Sequence, residues 1–149
     1  MRRFGAAIVL AALAVAVPVA AAVQQGEVER ILATATKAYR DKGYAPAGWE
    51  KFGKLTNATD IRVEIPLKAG RSYQIVAACD KKCTDVDLQL FDPAGQEVDF
   101  DAQDDDFPIV AVHAATAQVY TIRVVMSACA PGGCAFGVKA FVKNARVPN

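Results

Sequence analysis

The sequence predicts an all-β protein, an antiparallel β-sandwich of about eight short strands preceded by one amphipathic α-helix. Two observations predict it. Apolar residues recur every three or four positions over residues 24–42, then every second position from Trp49 onward. The two-fold segments are separated by tight turns built from Gly, Pro and Asp, the habit of sandwiches and barrels.

Taken in order, the first 22 residues have the layout of an export leader. Arg2 and Arg3 precede an uncharged apolar run from Ala6 to Val17, Pro18 breaks it, and Ala20-Ala21-Ala22 offers a cleavage site before Val23. The apolar stretch approaches the roughly 20 residues of a membrane span, but its Ala-rich composition and small-residue end favour a cleaved signal peptide. The expected organisation is a leader at 1–22, a helix and connector at 23–48, a sandwich at 49–143 and a short tail at 144–149. The expected location is secreted or periplasmic, with no membrane span after cleavage.

In the helical segment, Val28, Ile31, Leu32, Ala35, Ala38 and Tyr39 form one narrow stripe, suited to packing on the chain's own domain. Glu27 and Glu29 near its start and Arg40 and Lys42 near its end suit the helix dipole, and Gly43 ends it. Tyr44–Gly48 is expected as a Pro/Gly connector. Trp49–Leu55 is the first expected strand. Ile61, Val63, Ile65 and Leu67 then alternate with polar residues, Pro66 marking a strand end or edge. Tyr73 to Cys79 and Val86 to Leu90 follow, then a turn at Asp92-Pro93-Ala94-Gly95 whose residues suit each position. The remaining strands are expected at Glu97–Asp101, Ile109–His113, Gln118–Met126 and Ala135–Val142. Asn57-Ala58-Thr59 spells a glycosylation sequon.

Without Arg2 and Arg3 the chain has 15 basic and 16 acidic residues, a formal charge of −1. That balance argues against nucleic acid and against an anionic membrane surface as partners. The 127 residues from Val23 suffice for one domain with its own core. Four cysteines in an exported chain imply two disulfides, spaced C-x3-C (Cys79, Cys83) and C-x4-C (Cys129, Cys134). Neither spacing is that of a redox or zinc pair. Local pairing closes rings worth about 2 kcal/mol each, and crossed pairing nearer 4 kcal/mol. Each pair brackets a turn-like sequence at a strand end, so local pairing, Cys79–Cys83 and Cys129–Cys134, is expected.

No Lys or Arg falls between Lys82 and Arg123, whereas nine carboxylates do. Asp85, Asp87, Asp99, Asp101, Asp104 and Asp106 are candidate ligands for calcium, which takes six to eight oxygens; no EF-hand register is present. The plainer reading is a solvated acidic face with Asp residues making turns. Calcium is the only cofactor suggested. His113 is the only histidine, and neither Ser72 nor Ser127 lies in a G-x-S-x-G setting, so no hydrolase site is evident. Tyr39, Tyr44, Trp49, Phe52 and Tyr73 are expected to seal the helix onto the sandwich, or else to line a binding surface.

Three segments carry a family likeness. Ala69-Gly70-Arg71-Ser72-Tyr73-Gln74-Ile75, then Asp85-Val86-Asp87-Leu88-Gln89-Leu90-Phe91-Asp92-Pro93-Ala94-Gly95, then Tyr120-Thr121-Ile122-Arg123-Val124, resemble in order the bacterial pre-peptidase C-terminal domain over about residues 50–142. The resemblance implies a small jelly-roll sandwich on a secreted protein, accessory and non-catalytic. The chain departs from the family in its N-terminal helix, its cysteine pairs and the lack of an adjoining peptidase. The function expected is an exported binding or accessory module for a protein, peptide or polysaccharide. A calcium-stabilised structural module and a small secreted hydrolase are the alternatives.

Overall fold

The computed structural model describes residues 18–144. The expected leader lies outside the described residues as far as residue 17, and so does the expected tail beyond Asn144. Helix α1 spans Val19–Asp41, so the last residues assigned to the leader form its first turn. Eight strands follow: β1 (Tyr44–Leu55), β2 (Thr59–Leu67), β3 (Arg71–Cys79), β4 (Cys83–Phe91), β5 (Glu97–Asp101), β6 (Ile109–Ala114), β7 (Gln118–Cys129) and β8 (Cys134–Lys143).

They pair antiparallel in two four-stranded sheets, ordered β1-β8-β3-β6 and β2-β7-β4-β5. This is a double-sheet jelly roll. Alternation places Ile65, Ile75, Leu88, Leu90, Ile122, Val124, Phe136 and Val138 between the sheets, all essentially without solvent contact. Complete burial of a side chain of this size contributes about 1.5–3 kcal/mol.

The segment expected as a connector, Tyr44–Gly48, instead begins β1. Tyr44, Ala45 and Pro46 pair with Lys143, Val142 and Phe141 of β8. Pro46 is tolerated because β1 is an edge strand. The register then breaks between Pro46 and Glu50, leaving Ala47, Gly48 and Trp49 without partners on β8. Gly48 has φ +78°, a conformation that admits glycine readily, and the result is a bulge.

Helix α1 covers the outer face of the β1-β8-β3-β6 sheet. Val28, Leu32 and Tyr39 pack on Val76, Ala78, Ala135 and Phe141. The Tyr39 and Phe141 rings stack at 4.2 Å, and burial raises the Tyr39 hydroxyl pKa. Gly137 permits this approach: a Cβ there would lie 2.7–2.8 Å from Phe52, Leu32 and Val28. The outer face of the other sheet is polar, crossed by a chain of contacts from Asp60 through Arg123 and Gln89 to Glu97.

Both disulfides lie at one pole. Cys79–Cys83 ties the end of β3 to the start of β4, and Cys129–Cys134 ties the end of β7 to the start of β8. Each link crosses from one sheet to the other, and Cys83 and Cys129 face each other in register. Between them lies Asp80, only 1 % exposed. Its carboxylate accepts N–H bonds from Lys82 at 2.9 Å and Ala135 at 2.8 Å, and from the Gln24 amide of α1 at 2.8 Å.

Two outcomes follow from this packing. Asp80→Ala should cost about 2–4 kcal/mol in urea denaturation, because several partners lose one buried charged acceptor. Gly137→Ala should cost about 1–3 kcal/mol by overpacking, with near-ultraviolet dichroism reporting a displaced Tyr39–Phe141 stack.

Candidate functional site

At the pole opposite the disulfides the sandwich opens. The bulge in β1 stands away from β8, and a groove runs between it and the adjoining ends of β2, β3 and β7. One part, of about 240 Å³, is lined by Pro46, Ala47, Trp49, Ile65, Pro66, Leu67, Lys68, Arg71, Tyr73 and Val142. A second part, of about 490 Å³, shares Ala47, Trp49, Pro66, Leu67 and Lys68 and extends to Gly48, Ala117, Gln118 and Val119. The two form one continuous surface.

Several local constraints build it. Alternation in β2 turns Ile65 and Leu67 into the core, while Pro66 faces the groove without an N–H to satisfy. The Tyr73 hydroxyl accepts a bond from the Lys68 N–H at 3.0 Å, fixing the β2–β3 turn. Arg71 donates to the Lys143 carbonyl at 3.1 Å, leaving its guanidinium beside the groove wall. Val119, 47 % exposed, forms the outer lip. Among the described residues, the lining holds two cations and no carboxylate. Of the aromatics expected to seal the helix, Tyr39, Tyr44 and Phe52 do so, while Trp49 and Tyr73 line this groove.

The acidic stretch is divided, and the six candidate calcium ligands do not form one metal-holding cluster. Among the described residues, no three His, Cys, Asp or Glu side chains are grouped to hold a metal. Asp99 and Asp101 project from β5, the edge of one sheet, and accept the Ala111 N–H at 2.7 Å and the Ile109 N–H at 2.8 Å from β6, the edge of the other. These carboxylates close the seam and blunt two free edges. Asp105 serves its own loop through the Phe107 N–H at 2.9 Å, and Asp104 and Asp106 are exposed.

Asp85 and Asp87 share one face of β4, near Asp104 and Asp105. Asp87 accepts the Ser127 hydroxyl bond, whereas one buried Asp85 oxygen has no partner among the described residues. Burial first, then the charges of Asp87 and Asp104, raises the Asp85 pKa.

One pair escaped sequence reasoning. Ser72 and His113 face each other across β3 and β6, and the hydroxyl lies 3.0 Å from the imidazole Nδ1. Their shallow depression is lined, among the described residues, by Tyr44, Tyr73, Gln74, Ala111 and Val112 besides themselves, a set without an orienting carboxylate. Only the strand register would have disclosed the pair, because the residues lie 41 positions apart.

The fold and these sites define a disulfide-stapled jelly-roll sandwich with a groove at its free pole. No family model matches the chain, and no curated protein matches it. Among solved structures, it is similar to PliG of Aeromonas hydrophila, a periplasmic lysozyme inhibitor of g-type lysozyme. The two are 16 % identical with a TM-score of 0.45, over 64 % of this chain and 85 % of that one.

The Asp85 environment has a pH consequence. Its pKa is raised in the folded state, so ionised Asp85 lowers stability, and that loss is relieved as pH falls through the folded pKa. Asp85→Asn should therefore raise the melting temperature at neutral pH by about 2 °C, the effect of a fraction of a kcal/mol at this size. Melts across acidic pH should show the gain shrinking towards zero as wild-type Asp85 takes up its proton.

Proposed function

We propose that the chain is an exported, non-catalytic binding module whose ligand occupies the groove at the pole without disulfides. One observation carries this reading: the β1 bulge holds Ala47–Trp49 off β8 and exposes an apolar, aromatic-lined channel. Bulges of this kind commonly sit beside functional sites, where they re-aim side chains. Preformed clefts of apolar and aromatic residues with a few polar groups are the usual form of binding sites. Two disulfides support an oxidising, extracytoplasmic location, either periplasmic or secreted.

The alternatives have less support. A calcium-held structural module would share two of its six candidate ligands, Asp99 and Asp101, with N–H groups of β6. A hydrolase built on Ser72 and His113 would need an acid to fix the imidazole tautomer, and none of the described residues lining the depression is one. An accessory role like that of pre-peptidase C-terminal domains agrees with the groove reading without naming a ligand.

A photo-crosslinking residue placed at Val119 tests the reading in the exporting cell. Adducts should form from Val119 and not from a control at Lys81, beside the disulfides. Ala117→Trp, which narrows the groove from an exposed position, should suppress them. Equal labelling from both poles, or adducts indifferent to Ala117→Trp, would remove the groove as the binding site.

A further inference from the structure

We propose that the groove accepts an extended, acidic protein segment, one that alternates carboxylates with apolar side chains. The inference rests on the groove being the binding site and adds the chemistry of its occupant. Two independent observations carry it.

The first is charge complementarity. Lys68 and Arg71 stand at the wall of a largely apolar channel, and among the described residues no Asp or Glu lines it. Lys143 adds to the same end, its ammonium 5.8 Å above the Tyr44 ring and its carbonyl tied to Arg71. A near-neutral chain thus presents a locally cationic rim around apolar surface, which favours an anionic partner and penalises a basic one. The carboxylates of Asp85, Asp87, Asp104 and Asp105 lie towards the stapled end, where β4 starts, and do not offset this rim.

The second is the backbone. Ala47, Gly48 and Trp49 have no register partners on β8. An extended peptide can satisfy such main-chain groups by strand addition, with alternate side chains directed into the channel and towards the rim. A glycan has no regular row of amide groups to offer in return. The single tryptophan of the chain, Trp49, lies inside the groove, so its emission reports occupancy directly.

The test uses the disulfide-intact chain and short labelled peptides that alternate Val with Glu, Ser or Lys, together with an oligogalacturonate. Binding is followed by peptide anisotropy and by Trp49 emission. The Glu peptide should bind, shift Trp49 emission and weaken as salt is raised. The double variant Lys68→Glu/Arg71→Glu should bind it about tenfold less tightly and gain affinity for the Lys peptide. Lys68→Gln/Arg71→Gln, which avoids repulsion within the fold, should give an intermediate loss.

Equal affinity for the Glu, Ser and Lys peptides, each shifting Trp49 emission, would overturn the acidic-segment inference and leave the groove reading standing. Oligogalacturonate binding with no response to the Glu peptide would replace a protein segment by an anionic glycan. A Glu peptide that binds without moving Trp49 emission would overturn both. Failure of the Glu peptide to bind at all would overturn the inference about the occupant.

Discussion

The Asp80 carboxylate lies where the β3–β4 turn, the start of β8 and the first turns of α1 meet. A charged acceptor so deeply buried is tolerable only because Lys82, Ala135 and Gln24 all donate to it. Its own backbone completes the joint: the Asp80 N–H donates to the Ala135 carbonyl, and the Asp80 carbonyl accepts from Cys83. The two disulfides flank this point and hold the same crossovers between sheets. Helix position, sheet stacking and strand register are therefore tied together at one pole.

Fixing one pole leaves the other free to differ. A jelly roll needs its sheets held in register, and here crosslinks and a buried polar joint do so at one end while apolar packing continues along the strands. At the far end β1 can bulge, and its unpaired residues make a surface rather than a defect. The lateral seam is treated differently again, with Asp99 and Asp101 spanning from β5 to β6. Acidic residues thus serve three separate purposes: a buried joint, a seam between edges, and a crowded face around Asp85.

Much of this was legible in the residues. Period-two alternation located the strands because most of them bury only the face turned to the opposite sheet, and the shift from period 3.6 located α1. Local disulfide pairing followed from turn-like sequences at strand ends. The β1 bulge was not legible, because Pro46 and Gly48 read equally well as a connector. Asp80 was overlooked beside the denser acids that follow it; its burial depends on β8 and α1, which no local pattern brings together. Asp99 and Asp101 read as metal ligands because composition shows oxygen density but not which N–H groups will reach it. The division of the aromatics between helix and groove likewise required the fold.

Residue-resolved hydrogen exchange tests the central claim, one pole fixed and the other open, most directly. The amides of Cys83 and Ala135, at the Asp80 joint, should exchange only on global unfolding, while those of Ala47, Gly48 and Trp49 exchange orders of magnitude faster under the same conditions. Protection of Ala47–Trp49 equal to that of the stapled pole would contradict it, because the bulge would then be closed structure rather than an available surface.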